Sequence, residues 1–272
     1  MTVLCIRRLL IDLETPFERH WCAGDPFRSA LFNASSMSFP VGEQFFIDAV
    51  RAGLQALPVD QQTQWASEVQ GFIGQEATHR RLHALFNRQL ERQGLINHWA
   101  VRATRRIELM QGTDPRHGLA ITAATEHFTA IFAQWLLTHP QVLTGSEDRL
   151  QTLWLWHSAE ESEHKSTAVD LYRALGGNEA WRLTWFRRVT WFFVTDTMRQ
   201  TLNNLWHDGT LWQWRTWSSA VRTLLGRDGL VRCTYSAWRA YKRANFHPNE
   251  QTSNLSERWL QANRHLYDEV PA

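Results

Sequence analysis

The sequence predicts an all-α protein, with a four-helix core followed by further helices. Three observations carry this. Long stretches have a helical pattern bounded by cap and breaker residues, and no stretch sustains the two-residue alternation of a strand frame. Four of the predicted helices each carry either a lone glutamate or a Glu-x-x-His unit. The composition, 43% hydrophobic and 21% charged over 272 residues, suits a packed globular chain rather than a disordered one.

Residues 1–37 read as an irregular or strand-like leader broken by Pro16, Gly24 and Pro26. Ser38 is the expected cap of a first helix to about residue 57, with Pro40 in its first turn and Pro58 ending it. Asp60 is expected to cap a long second helix that Gly94 closes. A shorter helix is predicted over 98–110. Asp114-Pro115 then opens a third major helix to about residue 138, stopped by Pro140. A fourth runs over 146–175 to Gly176-Gly177, and helical patterns follow over 178–206, 210–225, 229–244 and 253–266. The organisation expected is a leader at 1–37, a core at 38–177 and an extension at 178–272 packed on the core.

Cys5, Cys22 and Cys233 are far apart and odd in number, which argues against a disulfide scaffold or a zinc finger. No apolar run has the length of a signal peptide or of a membrane span. A cytoplasmic protein is expected. Charge is uneven: 181–247 holds eleven basic and three acidic side chains, net +8, although the whole chain is +2. That stretch also holds eight of the 15 tryptophans. It reads either as packing that covers the bundle or as a peripheral, amphipathic contact with lipid at the inner membrane face. The scattered basic residues come with no nucleic-acid motif, so no nucleic-acid partner is expected. A homodimer is left open.

Chemistry enters through spacing. In order, the four helices offer Glu43, then Glu76-Ala77-Thr78-His79, then Glu126, then Glu161-Ser162-Glu163-His164. Residues three apart on a helix lie about 60° apart, so each Glu-x-x-His unit can aim an oxygen and a nitrogen at one point. The lone Glu43 and Glu126 can bridge or cap two ions. This is the inward ligand order of ferritin-like carboxylate-bridged di-metal bundles. The fold class expected is therefore a ferritin-like four-helix bundle with additional C-terminal helices. His83 shares the face of Glu76 and His79, and His157 shares that of Glu161. Both join the candidate metal set, as ligands or as residues holding ligands. Glu160 competes with Glu161 for a ligand position, and spacing favours Glu161. Glu163 is expected in solvent or paired with Lys165 or Arg81, and His127 and Asp170 off the site. Gln75 and Thr129 are candidate donors to ligands. Trp154 and Trp156 are expected as core.

The motif order resembles a bacterial family of predicted metal-dependent hydrolases. Its marks are Phe39-Pro40-Val41-Gly42-Glu43, Gln75-Glu76-x-x-His79-x-x-x-His83, Glu126-His127-x-x-Ala130, Trp156-His157-x-x-Glu160-Glu161-x-Glu163-His164-Lys165 and Asn245-Phe246-His247-Pro248. The resemblance covers about residues 10–250. Its name implies hydrolysis, whereas its ligand set looks like that of di-iron oxygenases. The unit His157-x-x-x-Glu161-x-x-His164 is similar to the site of arylamine N-oxygenases. The ribonucleotide reductase small subunit is similar in ligand order, but His83 stands where its radical tyrosine would be. Ferritins match the metal set and lack a basic, tryptophan-rich extension. The function expected from the ligand order is a non-haem di-iron oxidase or oxygenase acting on O₂ and an organic substrate. Two iron ions are the expected cofactors, with manganese next and zinc less favoured. The alternatives are a metal-dependent hydrolase and a non-enzymatic, iron-binding ferritin-like protein.

Overall fold

The computed structural model describes residues 4–251 and 253–270. Its described residues are mostly helical: α1 (Pro26–Ala56), α2 (Val59–Arg92), α3 (His98–Glu108), α4 (Pro115–Thr138), α5 (Asp148–His164), α6 (Thr167–Ala174), α7 (Glu179–His207), α8 (Trp214–Leu225), α9 (Leu230–Ala240) and α10 (Leu255–Ala262). Two short strands, β1 (Ile6–Leu9) and β2 (Tyr267–Val270), pair antiparallel with Arg7 opposite Glu269, which brings the two ends of the chain together.

Most boundaries follow local chemistry. Asp114 accepts from the Arg116 backbone N–H at 2.9 Å and opens α4 with Pro115 in its first turn. Asn97 and Asn178 cap α3 and α7 in the same way. Three expectations need correction. Asp60 does not cap the second helix: α2 starts at Val59 after Pro58, and Asp60 lies inside its first turn. The first helix does not begin at Ser38. Asp25 caps it, Pro26 opens it, and Pro40 lies inside it. An internal proline leaves the carbonyl four residues earlier without its helical donor. Here that carbonyl belongs to Ser36, and Asn87 Nδ2 on α2 donates to it at 2.9 Å. A partner from the neighbouring helix thus lets α1 continue through a residue that local rules read as a start. The fourth helix is not continuous either. It ends at His164, and α6 starts at Thr167.

Helices α1, α2, α4 and α5 surround the candidate site. Trp154 is fully buried in an aromatic cluster with Phe32, Phe39, Phe86 and Trp21, as expected of core. The C-terminal tryptophans divide. Trp181 stacks on His117 at 4.2 Å and Trp185 Nε1 donates to the same ring, so these pack against the helices. Trp191 and Trp206 are 67% and 62% exposed, and with Val194, Met198 and Leu202 they form one exposed stripe at three- and four-residue spacing along α7. No helix among the described residues is long and apolar enough to cross a membrane.

Candidate metal centre

All eight sequence-predicted site residues are buried. Glu43 comes from α1, Glu76, His79 and His83 from α2, Glu126 from α4, and His157, Glu161 and His164 from α5. Seven of them meet in three overlapping groups with ligand atoms within 4.8 Å of one another: Glu43–His79–His157, Glu76–His79–Glu161 and Glu76–Glu126–His164. His83 belongs to none of these groups. Across them, Glu161 Oε1 lies 3.3 Å from His79 Nδ1, 2.9 Å from His157 Nε2 and 3.6 Å from His164 Nε2. His164 Nε2 lies 3.1 Å from Glu76 and 3.3 Å from Glu126.

Each of the three grouped histidines is held from outside by one nitrogen. His79 Nε2 meets Glu160 at 2.9 Å, leaving Nδ1 toward the centre. His164 Nδ1 donates to Gln75 Oε1 at 2.9 Å, leaving Nε2 inward. His157 Nδ1 meets His83 Nε2 at 2.6 Å, and its Nε2 faces Glu161. The last contact can be assigned a direction. Asn87 spends its amide N–H on the Ser36 carbonyl, so its Oδ1 accepts the single Ser36 hydroxyl proton at 2.8 Å. Ser36 Oγ must therefore accept from His83 Nδ1, 2.9 Å away. Burial, with the His157 and His79 charges next, pushes His83 well below the usual imidazole range, so it carries one proton only. Its Nε2 then accepts from His157 Nδ1–H, and His157 Nε2 presents a lone pair to the centre. The carbonyl freed by Pro40 is the end of this chain of donors.

One support was not foreseen. Arg7 on β1 is buried and reaches Glu163 through two bonds of 2.7 and 3.0 Å and Glu160 through one of 3.0 Å. Gln75 Nε2 also donates to Glu163, at 2.9 Å. Glu163 is therefore paired with Arg7 and Gln75, not with Lys165 or Arg81. One arginine thus holds Glu160, the partner of His79, and Glu163, which anchors Gln75, the partner of His164. Only its apolar flanks, Ile6 and Leu9, hinted at burial. Thr129 donates to its own helix at the Glu126 carbonyl, His127 to the Ala237 carbonyl, and Asp170 pairs with His247.

The donor set fits a cation. Both carboxylate oxygens of Glu43, Glu76 and Glu126, with Glu161 Oε2, His79 Nδ1 and His164 Nε2, are buried without an aligned hydrogen bond. Buried carboxylates without partners are costly, and a bound cation removes that cost. The titration of the cluster reflects the same strain. Burial, then the Glu76 charge, pushes Glu43 well above the carboxylate range, and burial, then the Glu161 charge, pushes Glu126 to about 8. Burial opposes a proton on His79, but Glu160 and Glu161 outweigh it and raise that ring to about 10. Burial lowers His157 to about 4. Protons thus stand where a metal would place its charge.

A family model described as predicted metal-dependent hydrolase matches residues 5–252. Neither a curated protein nor a solved structure matches the chain. The family finding corrects the expected O₂-activating oxidase or oxygenase, and with it the oxidoreductase class. Carboxylate–imidazole sites serve redox and hydrolytic ions alike, so the ligand order could not separate the two chemistries. With the match spanning nearly its whole length, this chain belongs to the family of predicted metal-dependent hydrolases.

Proposed function

We propose that the protein is a hydrolase working through a pair of divalent ions held at this centre. The observation that carries the reading is the set of four buried carboxylates, Glu43, Glu76, Glu126 and Glu161, whose oxygens converge with three histidine nitrogens and lack enough hydrogen-bond donors among the described residues. One ion would sit at Glu43, His79 and His157, the other at Glu76, Glu126 and His164, with Glu161 between them. Four carboxylates against two divalent charges leave the buried cluster close to neutral. Helices α1, α2, α4 and α5, each contributing ligands, would form a ferritin-like core.

A divalent ion bound there supplies Lewis acidity toward a substrate oxygen and lowers the pKa of water. The chain's own part is geometry and proton placement. Gln75, His83 and Glu160 each occupy one nitrogen of a ligand ring, so only the other can face an ion. Glu43 borders a largely apolar pocket between α1, α3, α4 and α7, which opens a way to the centre from outside. The test is a panel of ester, amide and phosphoester substrates given to the protein loaded in turn with manganese, iron and zinc. Turnover that a chelator abolishes and the Glu161→Gln variant lacks supports the reading. No turnover by any fully loaded form overturns it.

Because His83 fixes the His157 tautomer, His83→Ala is expected to weaken metal binding by about 10–100-fold, the usual effect of losing a residue that orients a ligand. Calorimetric titration with Mn²⁺ would measure it, with circular dichroism confirming intact helices. Unchanged affinity would remove His83 from the site.

We also propose peripheral contact with anionic bilayers. Trp191, Val194, Met198, Leu202 and Trp206 are exposed along one face of α7, with Arg187, Arg188 and Arg199 beside them. Indoles beside arginines suit the interface of an anionic membrane. Co-sedimentation with anionic vesicles is expected at low salt and should fall as salt rises, because exposed charges are screened over about 8–10 Å at physiological ionic strength. Equal sedimentation with neutral and anionic vesicles, or none with either, would leave the stripe without this role.

A further inference from the structure

We propose that the pocket ending at Glu43 is the substrate site and that it takes an amphiphilic anion, with the ester or amide bond to be hydrolysed at the Glu43 end, an apolar chain along its walls and an anionic group at its mouth beside Arg188. This rests on the hydrolase reading for its chemistry, but not for its binding.

The pocket holds about 440 Å³, within the roughly 300–1,000 Å³ range of small-molecule sites. Glu43, buried at its inner end, is one of the clustered carboxylates, so an occupant that fills the pocket abuts the centre. Phe46, Trp99, Ile107, Ile121, Val189 and Phe193 make the walls. Three hydroxyls also line it, but all are turned to backbone: Ser38 donates to the Ser35 carbonyl, Thr125 to that of Ile121 and Thr129 to that of Glu126. Between Glu43 and the mouth, the lining therefore keeps no free hydroxyl for a sugar or a peptide. A polar substrate would lose its hydrogen bonds to water there without replacement. An apolar chain loses nothing and gains burial.

The outer end is different. Leu109 is 81% exposed there, and two arginines, Arg106 and Arg188, stand on α3 and α7. Arg106 is already committed: with Arg102 it pairs with the buried Asp196. Arg188 forms no ion pair among the described residues. Its guanidinium lies over the Trp185 ring, 4.9 Å from the centroid. A planar cation held on an indole at the mouth of an apolar pocket suits a carboxylate or a phosphate.

The probes are decanoate, 1-decanol and butanoate, titrated calorimetrically into the full chain with and without bound metal. Decanoate is expected to bind, butanoate not, and decanol about fivefold more weakly than decanoate, as a half-exposed charge contact would give. Arg188→Ala should remove the preference for decanoate over decanol and leave decanol binding unchanged. Val189→Trp, which fills the pocket from α7, should abolish binding of both, and Ala103→Trp does the same from α3 should the first variant not fold. Decanoate binding no tighter than butanoate, or unaffected by a folded filling variant, overturns the proposal. The two readings fail separately. Decanoate binding without turnover of any substrate class retires the hydrolase and keeps the pocket. Turnover of short polar substrates without decanoate binding does the reverse.

Discussion

Replacing Glu76 and Glu161 together by alanine is expected to abolish metal binding while the helices persist. Glu76 belongs to two of the three ligand groups, and Glu161 lies within 3.6 Å of all three grouped histidines, so the pair touches both proposed ion positions. The parent protein should retain two ions per chain after dialysis and the variant none, by elemental analysis. Both side chains face the centre rather than the hydrophobic clusters, and circular dichroism should change little. Each truncation leaves a small cavity, but it also removes a buried carboxylate short of partners. Two retained ions in the variant would move the metal site elsewhere. A single ion in the parent would reduce the centre to one of its two halves.

Arg7→Ala should cost more stability than any other single change near the site, about 3–5 kcal/mol by chemical denaturation, because removing one partner of a buried ion pair strands the other. Here it strands two. Glu160 is fully buried, and Glu163 is only a fifth exposed. The effect should carry to metal affinity, since Glu160 holds His79 and Glu163 holds Gln75, which holds His164. Arg7→Lys restores the charge without the two-pronged contact and should recover part of the loss. Adding Glu163→Gln to Arg7→Ala should be less than additive, since the second change removes the charge that the first left unpaired. A loss below about 1 kcal/mol would make the contact an ordinary surface ion pair.

The pairing of β1 with β2 gives this network an unexpected dependence on chain ends. Arg7 sits opposite Glu269 on a strand of four residues, and Arg264 lies over the Tyr267 ring beside it. The last elements of the chain thus help to place a side chain that supports the centre.

What local rules govern was legible in the sequence. The Glu-x-x-His spacing put Glu76 with His79 and Glu161 with His164 on single helix faces, and caps such as Asp114-Pro115 set α4 to the residue. Such features depend on neighbours one to four positions away, which the sequence displays directly. The ion-pair partner of a buried charge is different, because it is chosen across the fold. Glu163 found Arg7, 156 residues distant, and Pro40 was accommodated inside α1 because Asn87 on another helix answers the Ser36 carbonyl. His83 shares a face with the ligands, as spacing required, yet its nitrogens are taken by Ser36 and His157 rather than by the ligand groups. Composition grouped eight C-terminal tryptophans together, and only packing separated Trp181 and Trp185, which rest on His117, from Trp191 and Trp206, which face solvent. The ligand order itself determined that the chain could gather carboxylates and imidazoles for a metal. It could not determine redox against hydrolytic chemistry, because both use the same donors. The pocket beside that centre was decided by tertiary structure alone, since its walls come from α1, α3, α4 and α7, and no sequence period links them.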